Sequence, residues 1–139
     1  MRKIFADTDV VMDFLTKREP FFEEIKDIFQ LAIDRQLTIY ISSVTVVNAN
    51  YIIGRAESKN QAFRKIEKLM KVVNILNVGS STIKKSMSSN FKDFEDAVQN
   101  ACAVESKIDT LITRNVKDYQ KSTLSILTPK EFIVKMELL

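Results

Sequence analysis

Residues 3–11 constrain the fold of this chain more than any other stretch. The apolar run Ile4-Phe5-Ala6 is too short for a helix, it stops at the carboxylate Asp7, and the residues that follow take helical spacing. This pattern is typical of a buried parallel strand that leads into a helix. Ligand sites of open α/β sheets lie at the carboxyl ends of the strands, so Asp7 is the first candidate functional residue.

The rest of the chain alternates between predicted helices and strands. Helices are predicted at residues 8–17, from Pro20 onward, and at 43–53, 61–71, 81–88, 93–105 and from Pro129 onward. Strands are predicted at residues 37–41, 72–78, 109–113 and 124–127. Such alternation favours a parallel sheet that is covered by helices on both faces. The Phe and Met stripes of these helices are expected in the core.

One of these segments is ambiguous. Residues 43–48 are rich in β-branched side chains, which by propensity alone favour a strand in a hairpin with the preceding run. A helix capped by Ser42 or Ser43 is the alternative, and it is preferred because the apolar side chains would share one face. These side chains are Val44, Val47, Tyr51 and Ile52.

The composition excludes several kinds of chemistry. A length of 139 residues suits a single domain over residues 1–139. The chain has no histidine, which excludes a Ser-His-Asp triad and His-ligated metals, and its lone cysteine, Cys102, cannot form an internal disulfide or a thiolate zinc site. Only two glycines occur, so there is no Gly-rich phosphate loop. The net charge of +3 permits a polyanionic partner without requiring one.

The apolar residues give no indication of a membrane protein. Asp7, Asp9 and Asp13 interrupt the N-terminal apolar run, unlike a secretory signal, and no apolar stretch approaches the ~20 residues that span a bilayer. We therefore expect a cytoplasmic protein without membrane contact.

Two later polar clusters stand where a strand ends or a helix begins. Residues 93–96, Asp-Phe-Glu-Asp, open a predicted helix whose spacing places Asp93, Asp96 and Asn100 on one stripe. Residues 113–118, Thr-Arg-Asn-Val-Lys-Asp, follow a short apolar strand. Carboxylate and amide oxygens are ligands that suit Mg²⁺ or Mn²⁺. The sequence thus predicts that Asp7 and these two clusters converge on a divalent cation.

The three motifs in this order resemble the PIN domain. The resemblance extends from Lys3 to the last helix and implies a three-layer α/β/α sandwich with a central parallel sheet of four to five strands. It also implies an endoribonuclease that depends on Mg²⁺ or Mn²⁺. Many small bacterial members are toxins of toxin–antitoxin pairs, similar to the VapC type. RNA, a small antitoxin protein and a second copy of the chain are accordingly the expected partners.

The resemblance assigns roles to individual residues. It implies that Asp7, Asp96 and Asp118 are the catalytic and metal-binding acids and that Asn115 is a further metal ligand. The family usually has another acid six residues after the serine that opens the third helix, where this chain has Asn48. An amide supplies no negative charge, so reduced activity is expected.

Four auxiliary groups and two basic residues complete the predicted site. Asp9, Asp93 and Glu95 are acids near these positions that would serve as auxiliary groups, together with Asn48. Arg114 and Lys117 are expected to contact substrate phosphates, and Asp13 is expected to pair with Lys17 on a solvated face.

Three other interpretations stay open. Each acid, taken alone, could simply cap a helix. The spacing of Asp7 and Asp9 after an apolar strand also matches the haloacid-dehalogenase phosphatases, in which the first acid is a nucleophile. A PIN-like fold that binds RNA or protein without cutting is the third possibility, which Asn48 keeps open.

Overall fold

The computed structural model describes residues 1–137 and contains one parallel sheet flanked by helices. Five strands have the order β3-β2-β1-β4-β5: β1 (Arg2–Ala6), β2 (Leu37–Ser42), β3 (Val73–Leu76), β4 (Thr110–Ile112) and β5 (Ser125–Leu127). The helices are α1 (Thr8–Thr16), α2 (Phe22–Ile33), α3 (Ser43–Ala56), α4 (Lys59–Met70), α5 (Ser80–Met87), α6 (Phe94–Glu105) and α7 (Pro129–Glu137), with a 3₁₀ helix at Val116–Tyr119. The predicted α/β class and the parallel sheet are confirmed.

Helices cover both faces of the sheet because strand residues alternate between the two sides. Ile4 and Ala6 of β1 belong to a core cluster that includes residues of α1, α2, α3 and α4. Phe5 belongs to a second cluster with Cys102 and Ala103 of α6. The structure is therefore the expected three-layer sandwich, and Cys102 is buried in it.

The central strands β1 and β4 place two polar segments side by side. The backbone N–H of Asp7 donates to the carbonyl oxygen of Ile112 at 3.0 Å, which continues the β1–β4 pairing to the carboxyl edge of the sheet. The chain leaves β1 toward β2 on one side, while β4 lies on the other. Such a reversal of strand order opens a crevice at the carboxyl edge, where the polar residues after both strands meet.

The ambiguous segment after β2 is a helix, as predicted. The hydroxyl of Ser42 accepts a hydrogen bond from the backbone N–H of Thr45 at 3.2 Å, which caps α3. The predicted inward face is wrong, since α3 buries Thr45, Ala49 and Ile53. Val47 and Tyr51 are 68% and 62% exposed. Thr45 can be buried because its hydroxyl has hydrogen-bond partners inside the protein.

Other details of the helices also differ from expectation. Phe63, Met70 and Phe94 are about half exposed, so the Phe and Met stripes do not all lie in the core. The buried stripe of α4 is narrower and consists of Ala62, Ile66 and Leu69. Pro20 precedes α2 instead of occupying its first helical position.

The start of α7 has a capping box. The backbone N–H of Thr128 donates to Oε1 of Glu131 at 2.9 Å, and the N–H of Glu131 donates to the Thr128 hydroxyl at 3.1 Å. None of the helices formed by residues 1–137 is long and apolar enough to cross a membrane.

Candidate active site at the carboxyl edge of the sheet

Asp7 lies at the centre of this edge and is 5% exposed. Its Oδ1 accepts a hydrogen bond from the backbone N–H of Thr8 at 2.7 Å, and its Oδ2 accepts one from the Thr113 hydroxyl at 2.9 Å. Burial, followed by the negative charge of Asp9, raises the pKa of Asp7 from 3.8 to about 7. The fold thus holds a carboxylate where its ionised form is disfavoured unless a positive charge is present.

Asp9 follows two residues later in the first turn of α1, and within residues 1–137 only one of its carboxylate oxygens has a hydrogen-bond partner. Its Oδ2 accepts from Nδ2 of Asn115 at 3.0 Å and lies 3.3 Å from the Thr113 hydroxyl, which also lies next to Asp7. A hydroxyl carries a single proton, so Thr113 can donate to only one of the two acids at a time. Oδ1 of Asp9 is buried without a partner among residues 1–137, and burial raises the pKa of this side chain.

Asp96 approaches the same edge from the first turn of α6. Its Oδ1 lies 3.4 Å from the Tyr119 hydroxyl, and its backbone N–H is capped by Oδ1 of Asp93 at 2.9 Å. Burial and then the charges of Asp93 and Asp118 raise the pKa of Asp96 to about 7. Asp93 is therefore the helix cap, in agreement with its structural interpretation.

Tyr119 connects the acids of the two elements. Its ring is buried, and burial together with the charges of Asp7 and Asp96 raises the pKa of its hydroxyl. The hydroxyl therefore keeps its proton, and it lies within reach of Oδ1 of Asp96. Asp7 and Asp96 both lie close enough to Tyr119 for their charges to act on its hydroxyl.

Asp118 is exposed on the 3₁₀ helix, where its charge acts on Asp96. A cavity of about 310 Å³ separates this helix from the start of α6, and its lining includes Asp93, Asp96, Lys117 and Asp118. Lys117 is exposed at this cavity, where it is accessible to a polyanion. The structure thus places Asp118 beside Asp96 and keeps Asn115 beside Asp9.

Asn48 does not contact Asp7 or Asp96 through a hydrogen bond. Its Nδ2 donates to Oε1 of Glu95 at 2.7 Å, which ties α3 to the first turn of α6. Asn48 and Glu95 are therefore hydrogen-bonded to each other, and Glu95 directly precedes Asp96 in the chain.

Arg114 forms an ion pair inside the protein, whereas the sequence predicted that it contacts substrate phosphates. Its guanidinium pairs with the carboxylate of Asp13 at 2.5 Å and lies 4.1 Å from the centre of the Phe21 ring. Asp13 is 1% exposed, so the predicted solvated pair with Lys17 is wrong. A buried carboxylate needs a partner charge, and the turn after β4 supplies it. This pair fixes the turn that carries Thr113 and Asn115 against α1.

A buried amide beneath the acids escaped the sequence analysis. Nε2 of Gln99 donates to the hydroxyls of Thr8 and Thr45 at 2.6 and 2.7 Å, while its Oε1 is buried without a partner among residues 1–137. Gln99 follows Asp96 by three residues, and this spacing places both on one helix face. That spacing is the signal that could have found it. Thr113 opens the motif at residues 113–118 and Tyr119 directly follows it, but the sequence assigns no role to either.

The carboxylate and amide oxygens at this edge are chemically suited to bind a hard cation, but their side chains are not arranged around a common point. Within residues 1–137 no three carboxylate or thiolate groups lie close enough together to hold a metal ion as the side chains stand. The unpartnered oxygen of Asp9 and the raised pKa values of Asp7 and Asp96 nevertheless indicate that a positive charge would be stabilising at this edge. Oxygen donors of this kind fit Mg²⁺ or Mn²⁺.

Comparison with known proteins agrees with this geometry. The family model described as PIN domain matches residues 3–117, which is most of the chain. The chain belongs to the PIN domain family. The match ends one residue before Asp118, so it includes the positions of Asp7 and Asp96 and leaves Asp118 outside. No curated protein sequence matches the chain significantly.

Several solved structures share this PIN fold. A chain of the DNA-bound VapBC complex from Salmonella typhimurium has a TM-score of 0.73 and 17% identity, over 93% of this chain and 99% of that one. A toxin–antitoxin complex from Klebsiella pneumoniae gives 0.66 and 22%, over 91% and 97%. The sarcin-ricin loop cleaving toxin VapC20 from Mycobacterium tuberculosis gives 0.62 and 15%, over 78% and 86%.

Proposed function

We propose that this PIN domain protein is a divalent-metal-dependent endoribonuclease that acts as the toxin of a toxin–antitoxin pair. The observation that carries the proposal is the approach of Asp96 to the Tyr119 hydroxyl at 3.4 Å, next to the buried Asp7 and the unpartnered oxygen of Asp9. Asp93 caps α6 and Asp7 caps α1, but capping does not account for a buried Asp7 and a half-buried Asp96 that come from separate elements and lie close together.

Four side chains would hold the ion, and they are Asp7, Asp96, Asp118 and Asn115. Asp118 and Asn115 are exposed, and Asn115 would give up its hydrogen bond to Asp9 when it turns toward the ion. A bound Mg²⁺ or Mn²⁺ would supply the positive charge that lowers the pKa of a water and stabilises the negative charge on a phosphodiester. With no histidine in the chain, a bound ion is the strongest source of acid–base chemistry at this edge.

The surrounding residues position the acids and the substrate. Thr113 donates a hydrogen bond that orients Asp7, and Tyr119 donates one that orients Asp96. Gln99 holds the starts of α1 and α3 together through its hydrogen bonds to Thr8 and Thr45. Lys117 faces the cavity and is suited to contact a phosphate. Arg114 is engaged by Asp13 and contributes by fixing the turn instead.

A toxin role and an antitoxin partner are supported by the kind of protein that shares the fold. The Klebsiella structure is described as a toxin–antitoxin complex, and the Mycobacterium neighbour as a toxin that cleaves the sarcin-ricin loop. This chain would act on RNA in the same general way and would be held by a small antitoxin protein.

A second candidate function is binding of RNA or protein without cleavage. Asn48 favours it, because the amide pairs with Glu95 and brings no negative charge to the site. The phosphatase interpretation of Asp7 and Asp9 has no such support, since the family match is to the PIN domain.

RNA cleavage by purified protein separates these candidates. Wild type with Mn²⁺ should cleave single-stranded RNA, and Asp7→Asn or Asp96→Asn should each slow cleavage about a hundredfold or more. Asp27→Asn is the matched control, because Asp27 is an exposed acid on α2 and lines neither the cavity beside Asp96 nor the one beside Arg2. RNA binding without cleavage in Mn²⁺ or Mg²⁺ would favour the second candidate. Cleavage that survives in both site variants would refute the proposed site.

A further inference from the structure

A second polar cavity lies at the far edge of the sheet from Asp7. It has a volume of about 560 Å³ and lies at the amino ends of β1, β4 and β5, with further lining from the turn after α6 and from α7. Since the strands are parallel, their amino ends share this edge. At about 3.3 Å per residue, the four steps from Lys3 to Asp7 separate the two edges by about 13 Å. This cavity is therefore distinct from the candidate active site.

The cavity carries a local excess of positive charge. Four cationic residues line it, Arg2, Lys3, Lys107 and Lys135, and a single carboxylate, Asp109, accompanies them. Within residues 1–137 none of these cations forms an ion pair, because the ion pairs found there involve other side chains. The local excess of three charges equals the net charge of the entire chain. Positive charge is thus concentrated at the edge opposite the acids.

Two of the cations are supported from beneath by aromatic rings. The guanidinium carbon of Arg2 lies 5.5 Å from the centre of the Phe132 ring, and the ammonium of Lys3 lies 5.9 Å from that of Tyr40. Nε of Arg2 is buried without a hydrogen-bond partner among residues 1–137. Buried donors in native proteins are generally paired, so we expect a bound ligand to supply an acceptor for this N–H group.

The remaining lining residues favour a phosphate over a nucleobase. Thr123 and Ser125 add hydroxyl groups beside the cations, and no aromatic side chain is part of the lining formed by residues 1–137. Base recognition uses aromatic platforms, whereas phosphate recognition uses Arg, Lys and hydroxyl donors. We propose that this cavity is a second binding site, which takes a phosphate-bearing ligand. The phosphate belongs either to a small phosphorylated compound or to the backbone of an RNA.

Titration calorimetry in metal-free buffer without a chelator tests the site, because a chelator is itself a polyanion. The probes are inorganic pyrophosphate and a short single-stranded RNA. Wild type should bind at least one probe, and Lys107→Gln/Lys135→Gln should weaken that binding about tenfold or more. The control is Lys68→Gln/Lys71→Gln, which removes the same charge from exposed positions at the end of α4. It should bind like wild type.

Each outcome has a defined meaning. Binding of pyrophosphate that depends on Lys107 and Lys135 assigns a small phosphorylated ligand, and such dependence for RNA alone assigns the backbone. Absence of binding for both probes overturns the proposal, as does equal weakening in the two double variants, which would indicate a general charge effect. The lysines removed are exposed, and a melting-temperature measurement of each variant checks that it is folded. Asp7 is unchanged throughout, so the result is independent of RNA cleavage.

Discussion

Asp7→Asn should stabilise the protein at alkaline pH when no divalent metal is present. Asp7 is almost fully buried, and its pKa is raised from 3.8 to about 7 in the folded protein. The folded protein therefore holds this proton more tightly than the unfolded chain does. Stability is highest when the acid is protonated in both states, and it falls as the pH rises from about 4 through about 7.

The magnitude follows from the pKa difference of about three. At 1.36 kcal/mol for each tenfold change, ionised Asp7 costs about 4 kcal/mol of unfolding free energy above about pH 8. Asparagine avoids this cost, but it replaces one of the two oxygens that accept from Thr8 and Thr113. The lost hydrogen bond costs about 1 kcal/mol. A net gain of about 3 kcal/mol is expected near pH 8, and a loss of about 1 kcal/mol near pH 4.

Urea unfolding of wild type and Asp7→Asn across this pH range measures the difference. Asp27→Asn is the control, and as an exposed substitution on α2 it should change stability by less than about 0.5 kcal/mol. The reasoning is refuted if Asp7→Asn destabilises the protein equally at both ends of the pH range.

Three further predictions concern the neighbouring residues. Asn48→Glu places a second carboxylate beside Glu95, so it should lower the metal-free melting temperature and enlarge the stabilisation by Mn²⁺, whereas an unchanged Mn²⁺ response would place residue 48 outside the site. Arg114→Met leaves the buried Asp13 without its partner and should cost about 3 kcal/mol in urea unfolding at neutral pH; a cost below about 1 kcal/mol would contradict the ion-pair argument. Asp9→Ala should weaken RNA cleavage in an assay run beside p-nitrophenyl phosphate; turnover of the small ester alone by wild type would support the phosphatase interpretation instead.

Local sequence patterns predicted the layers of this fold well. The short apolar run before Asp7 and the apolar residues at 109–113 could be recognised as strands because buried parallel strands are continuously apolar. The helix that begins at Ser43 was predicted despite its β-branched residues, and the cap by Ser42 helps to explain why it forms. Its buried face could not be predicted, because that face depends on which neighbours satisfy the Thr45 hydroxyl.

The site was only partly accessible from the sequence for the same reason. Acids at strand ends and helix starts could be listed, but the contacts that join them depend on tertiary structure. The Tyr119 hydroxyl meets Asp96 across the gap between the 3₁₀ helix and α6, and Arg114 meets Asp13 more than a hundred residues away in the chain. Sequence spacing alone cannot show such pairings.

The most direct test of the account is the effect of Mn²⁺ on unfolding of wild type and of a variant that carries Asp7→Asn, Asp96→Asn and Asp118→Asn together. If these acids hold one ion, Mn²⁺ at about a hundredfold excess over its dissociation constant should raise the unfolding free energy of wild type by about 2.7 kcal/mol. The triple variant should lose this response, while Asp27→Asn should keep it. An equal stabilisation of wild type and the triple variant by Mn²⁺ would contradict the proposed metal site.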